Sequence, residues 1–269
     1  MIVDCHTHAF PDDLAPRAIA ALNAEVTEEE HAVLDGTVGD LLRSMDRAGI
    51  DKAVVWSVAT APKQVDPIIR WSLGIRSDRI IPLGSVHPDC SDVAADVRKV
   101  ADSGLPGIKL HPQYQGFAVD ERRVWPLYEA ADEAGLIVAF HAGRDIAFPP
   151  EDDRAAPARI LRVHEAFPDM PVVAAHLGGW RMWDEVARSL AGTGVYLDTS
   201  YTFHLAADDD AVARVLEAHS VDRILFGTDS PWRSQADDLS LIRAAFPDPE
   251  DLERVLHGNA QELFGPNST

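Results

Sequence analysis

The sequence predicts an α/β chain closed into a (β/α)8 TIM barrel, with its site at the C-terminal ends of the strands. Three observations lead there. Eight short, nearly continuous apolar runs alternate with amphipathic segments, which is what a parallel sheet covered on both faces requires. The length, 269 residues, suits one such barrel and is short for two domains. The rival, an open doubly wound sheet, normally carries a glycine-rich phosphate loop after an early strand, and neither GxGxxG nor a Walker A pattern occurs. Residues 1–269 are therefore expected to form a single barrel domain, with 265–269 as a frayed tail.

The first run, IVDCHTH, sets His6 and His8 one residue apart. Residues i and i+2 of a strand share a face, so both imidazoles project together and make half of a first-row metal site. Asp4 is expected on that same inward face, either as a partner behind the ligating histidines or, equally, in a buried structural hydrogen-bonding role. FPDDLAPRAIAALNAE predicts a helix capped by Asp12 or Asp13, with Leu14, Ala18, Ile19 and Leu22 as its apolar stripe. An acidic stretch, 27–35, follows as an exposed loop or short turn. This long connection after strand 1 is a candidate lid over the barrel mouth.

The alternation then becomes regular. A helix over 38–48 is closed by Gly49, and residues 52–58 form a buried second strand. A helix over 65–75 leads to RIIPLGSVHP, a third strand ending at His87. After a helix over 92–103, LPGIKLHP makes a short fourth strand carrying Lys109 and His111. A helix over 120–134 precedes LIVAFHAG, which ends at His141, and one over 155–167 precedes MPVVAAHLGG, which ends at His176. Helix 180–190, the strand GVYLDTS with Asp198, and helix 208–219 lead to DRILFGTDSPW, strand 8, with Asp229 just past its end. Helices near 236–245 and 251–264 finish the chain.

Composition narrows the function classes. With 24 Lys+Arg against 44 Asp+Glu the formal charge is −20, which disfavours nucleic acid and anionic membranes as partners. A local basic pocket still admits a small anionic substrate. Only Cys5 and Cys90 occur, with no CxxC spacing, and the chain opens straight into a strand without a basic or apolar leader. No apolar run approaches the ~20 residues of a membrane span. A cytoplasmic enzyme is expected, with self-association into a homo-oligomer left open.

Of the eleven histidines, six (His6, His8, His87, His111, His141 and His176) fall at or just after strand C-termini. In a (β/α)8 barrel these ends converge on one rim, where active sites lie. HTH at strand 1, FHAG at strand 5, AHLGG at strand 6 and FGTDSPW at strand 8 together resemble the amidohydrolase superfamily. The resemblance is to its amidohydrolase-2 branch, which holds small metal-dependent hydrolases, carboxy-lyases of the aminocarboxymuconate-semialdehyde decarboxylase kind, and lactonases. It runs from His6 to GNAQELF near the C-terminus.

The resemblance implies a metal held by His6, His8, His141 and Asp229, with His176 beside it or ligating a second ion. Three imidazoles and a carboxylate suit a catalytic zinc, with manganese as an alternative occupant. Asp229 then serves as proton carrier and His176 as the group that polarises a substrate carbonyl. Lys109 has two readings: carboxylated and bridging two ions, or a plain ammonium for a substrate anion beside one ion; the second is preferred. His111, Arg144 and Trp232 are further candidates for substrate contact. For His111 a role in packing its proline turn is equally compatible with the sequence, and Asp198 is read as a rim or helix-cap residue. The leading expectation is hydrolysis of a small amide, ester or lactone by metal-activated water. The alternative is non-oxidative decarboxylation of a small aromatic or unsaturated acid on the same site. A metal-free lactonase and a non-catalytic binding barrel are the lesser readings.

Overall fold

In the computed structural model, which describes residues 1–265, eight parallel strands alternate with helices and close on themselves. The strands are β1 (Val3–Thr7), β2 (Lys52–Val55), β3 (Ile80–Pro82), β4 (Gly107–Leu110), β5 (Ile137–Phe140), β6 (Val172–Ala174), β7 (Tyr196–Asp198) and β8 (Ile224–Leu225). Continuous pairing runs β1-β2-β3 and β4-β5-β6-β7-β8. Two seams complete the barrel. Between β3 and β4, Gly84 N–H donates to Gly107 O and Lys109 N–H to Gly84 O, both at 2.9 Å. Between β8 and β1, Cys5 N–H donates to Phe226 O at 2.7 Å and Asp229 N–H to His6 O at 2.8 Å.

The side chains sort into two layers. Val54, Ile137, Ala139, Val173 and Leu225 fill the interior, closed below by Ala260 and Leu263 of the last helix. The alternate residues, such as Val55, Ile108, Val138 and Phe140, pack outward against the helices. The helix Val38–Ala48 illustrates the outer ring. Thr37 accepts from Asp40 N–H at its start, Gly49 (φ 72°) ends it, and Leu41 and Met45, four residues apart, bury one face.

Several elements differ from their sequence-based expectations for identifiable reasons. Helix Ala15–Asn23 receives no cap from Asp12 or Asp13; Pro11 O accepts from both Leu14 N–H and Ala15 N–H, so a turn starts it instead. The segment expected as helix 120–134 is helical only over Trp125–Glu133, after a 3-10 turn at Arg122–Val124, because Pro126 fits only a first turn. A register shift in β1 between Asp4 and Thr7 breaks the simple alternation of that strand. Asp4 is fully buried and accepts from Thr228, from Gln235 and, at 3.3 Å, from the backbone N–H of His6, which is the structural hydrogen-bonding role of its two expectations. Of the expected frayed tail, Gly265 still donates to Gln261 O at 2.9 Å, and 266–269 lie outside the described residues. Among the described residues no helix is long and apolar enough to cross a membrane.

Candidate active site

A cavity of about 500 Å³ opens at the C-terminal rim of the barrel. Its floor is polar, formed by strand-end side chains that include His6, His8, Lys109, His176 and Asp229. The long connection after β1, with helix Ala15–Asn23, contributes Leu14, Leu22 and Val26 to the cavity wall.

Three ligand-type atoms converge on the floor. His6 Nε2 lies 3.1 Å from His8 Nε2 and 3.4 Å from Asp229 Oδ1, and His8 Nε2 lies 3.1 Å from the same oxygen. The opposite ring nitrogens fix what those atoms carry. His8 Nδ1 donates to the Trp56 carbonyl at 2.8 Å, and His6 Nδ1 donates to Asp198 Oδ2 at 3.0 Å. In neutral rings both Nε2 atoms therefore present lone pairs to each other and to a carboxylate oxygen. Burial pulls His6 well below the ordinary histidine range, so its neutral form is the resting one. Facing lone pairs repel unless a cation lies among them. With bonds of roughly 2.0–2.2 Å, neighbouring ligands of one ion stand about 2.8–3.6 Å apart, and the three separations here fall inside that interval. The donor set thus fits a divalent ion. The Nδ1 bonds hold the rings in their ligating orientation, as outer partners of metal-bound histidines do.

Beyond this trio the imidazoles form a connected group. His176 Nε2 lies 3.1 Å from His141 Nδ1, and His141 Nε2 donates to the Arg144 carbonyl at 2.9 Å. His141 stacks on His111 with ring centroids 4.2 Å apart, and His111 Nε2 is 3.3 Å from Asp145 Oδ2. The structure therefore gathers His6, His8 and Asp229 in one cluster and His111, His141 and Asp145 in another, with His176 between them. Burial holds His111, His141 and His176 well below the ordinary histidine range, which leaves their nitrogens available as donors and acceptors rather than as charges. Burial also pushes Asp229 upward, but His6, His8 and Lys109 outweigh it and keep the group below its ordinary value, as a carboxylate.

Lys109 is only 1% exposed, and its Nζ lies 4.1 Å over the Trp56 ring with no hydrogen-bond partner among the described residues. Trp56 also stacks on His6 at 3.7 Å, so one indole ties the lysine to the cluster. Trp232 lines the cavity and meets His8 edge-on at 5.4 Å. Arg144 departs from expectation: its side chain is exposed and does not line the cavity, and the residue serves through its backbone carbonyl. The loop after β5 makes a bridge at Gly143 to Trp180, and Arg144 N–H donates to Trp180 O, so the backbone is committed inward.

Asp198 is also unlike its expectation as a rim or cap residue. It is fully buried, accepts from His6 Nδ1, His176 N–H and Ser200 N–H, and takes a short hydrogen bond from Ser200 Oγ. Its place at the end of a strand was the available signal, the same one that marks His141 and His176. Trp56 gave none, since an aromatic ending an apolar run reads as core. His176 and Asp229 both adopt left-handed backbone, at φ 59° and 63°. Non-glycine residues are held there only when their surroundings demand it, and such strain concentrates at functional sites.

The family model for amidohydrolases matches residues 3–265 of the chain. In sequence the chain is similar to the 2-amino-3-carboxymuconate-6-semialdehyde decarboxylase of Dictyostelium discoideum, 24% identical over 221 residues that cover 70% of this chain. That match spans 61% of the relative's own length. In structure it is similar to an uncharacterized TIM-barrel protein from Bordetella bronchiseptica (TM-score 0.76, 21% identity, 98% of each chain covered). It is also similar to the 5-carboxyvanillate decarboxylase of Novosphingobium aromaticivorans, complexed with manganese and 4-hydroxy-3-methoxy-5-nitrobenzoic acid (TM-score 0.74, 15% identity, 98% and 96% covered). At these identities the structural likeness establishes the barrel fold.

The hydrogen bond from His6 to Asp198 yields a test. Asp198→Asn removes the anionic acceptor that fixes the His6 tautomer, and the affinity for Zn²⁺ or Mn²⁺ in chelator competition is expected to fall by about 10–100-fold. Unchanged affinity in a folded variant would show that Asp198 does not orient the cluster.

Proposed function

The chain belongs to the amidohydrolase family, and on that premise we propose that it is a metal-dependent enzyme for non-oxidative decarboxylation of a small aromatic or unsaturated carboxylic acid. The observation that carries this reading is Lys109, a buried lysine without an acceptor among the described residues, set beside the His6–His8–Asp229 cluster under an aromatic-walled cavity. A buried ammonium left without a partner is costly, and a substrate anion is the partner the cavity can admit. The decarboxylases among the similar proteins support the same choice over amide, ester or lactone hydrolysis. The convergent lone pairs speak against a metal-free lactonase.

His6, His8 and Asp229 are the proposed ligands of one divalent ion, for which zinc and manganese are both chemically suitable. When bound, the ion supplies positive charge that engages the substrate's oxygens and lowers the energy of the electron pair released onto carbon. The lysine is read as an ammonium, since the π face beneath it attracts a cation and would repel a carbamate. A single ion follows from that reading.

In the reaction R–COO⁻ + H⁺ → R–H + CO₂, the carbon–carboxyl bond breaks, its electron pair stays on carbon, and a proton takes the vacated position. Lys109 holds an anionic oxygen of the substrate and so orients the acid. Asp229, 16% exposed on the cavity floor, takes up a proton from solvent at Oδ and delivers it to carbon. His176, held between Ser200 and His141, is positioned to stabilise charge that spreads onto substrate oxygen. Trp56 and Trp232 keep water from the reacting carbon.

Isotopes decide between the two chemistries. In D₂O the product is expected to carry one deuterium on the carbon that lost CO₂, and in H₂¹⁸O it gains no label; one ¹⁸O in the product without CO₂ would establish hydrolysis instead. The lysine adds a pH dependence. Burial pushes Lys109 down to about 7, against the pull of Asp198, Asp229 and Asp145, so the anion-binding ammonium is lost as pH rises through that value. The Kd for an acid ligand is expected to rise by up to about tenfold per pH unit above 7, and to become flat in Lys109→Met. The same slope in Lys109→Met would assign the titration to another group.

A further inference from the structure

The upper half of the cavity contrasts with its floor. There helix Ala15–Asn23 presents Ala18 and Leu22, Val26 follows, and helix Val65–Ile75 presents Pro67, Ile68 and Trp71. Two polar side chains at this level, Thr60 and Gln64, are bonded to each other. Thr60 Oγ1 and Ala61 N–H both donate to Gln64 Oε1, at 3.0 and 2.9 Å. Among the described residues the charge at this level is negative, Glu30, whose Oε2 accepts from Thr27 Oγ1 at 3.1 Å.

All positive charge lies at the other end. Among the described residues that line the cavity, Lys109 is the only lysine or arginine, and Trp56 ties it to His6. Arg181 stacks on Trp180 and Arg233 pairs with Asp238 at 2.7 Å, and neither lines the cavity. A volume of about 500 Å³ falls in the range that encloses ligands of drug size. A compact acid bound at the floor would leave the apolar upper half in contact with water.

We propose that the substrate is an amphiphilic acid, with its carboxylate at one end and an apolar alkyl or aryl arm several carbons long at the other. The arm lies between helix Ala15–Asn23 and helix Val65–Ile75, and Glu30 disfavours a second anion at that end. The inference rests on the reading above for the carboxylate end alone; the arm is argued from the apolar walls.

The test uses the purified chain and a series of 4-alkyl-2-hydroxybenzoates from methyl to hexyl, with 4-carboxy-2-hydroxybenzoate as the charged counterpart. Kd is measured by calorimetry and CO₂ release separately. Kd is expected to fall about fourfold per added methylene, and the 4-carboxy compound to bind about tenfold more weakly than the 4-methyl one. Leu22→Gln and Ile68→Gln, on two different helices, are each expected to shrink the ratio of methyl to hexyl Kd values. A Kd independent of chain length, or tightest binding of the 4-carboxy compound, overturns the amphiphilic substrate. A chain-length dependence without CO₂ release supports the apolar arm and overturns the decarboxylase reading. CO₂ release with a flat Kd does the reverse.

Discussion

Two imidazole lone pairs and a carboxylate oxygen are aimed at one point, and the rest of the site depends on how that repulsion is resolved. The aim is enforced from behind. The Trp56 carbonyl and the Asp198 carboxylate each take an Nδ1–H, which leaves Nε2 of His8 and His6 as acceptors facing Asp229. Burial deepens the constraint, because His6 does not readily take a proton that would relieve it. A divalent cation relieves it, and the three separations match a ligand sphere without any displacement of the rings.

Barrel closure and site assembly are one event. Asp229 N–H donates to His6 O across the β8–β1 seam, so the hydrogen bond that seals the cylinder sets the carboxylate beside the imidazole. The turn needed there drives Asp229 into left-handed backbone, and His176 at the end of β6 is held likewise. Electrostatically the floor combines His6 and His176, which burial keeps neutral, an ionised Asp229 and one lysine whose charge burial disfavours. Such a floor suits an anion held between a metal ion and an ammonium, beneath apolar walls that exclude water.

Much of this was legible in the sequence because strands have a period of two and barrels have a common rim. Those rules brought out His6, His8, Asp229, Lys109 and His176 as rim residues. They failed where local geometry intervened. In β1, where the register shifts, Asp4 bonds Thr228, Gln235 and the His6 backbone rather than an imidazole, and the loop after β5 used the Arg144 backbone while sending its side chain outward. Asp198 ended a strand as His141 did, yet its short acidic side chain also suited a cap, and only the partners at the rim distinguish the two roles. Trp56 was invisible because its work is done by an indole face and a carbonyl, and neither is signalled by residue type. The pairing of His141 with His111 and Asp145, rather than with the first-strand histidines, depends on loop conformation that no periodicity encodes.

The most direct test is the position of the ion. Crystals of the manganese-loaded protein, measured on both sides of the manganese absorption edge, should give one anomalous peak within bonding distance of His6 Nε2, His8 Nε2 and an Asp229 oxygen. A peak confined to the His111–His141–Asp145 group, or no peak at full manganese loading, would contradict the account.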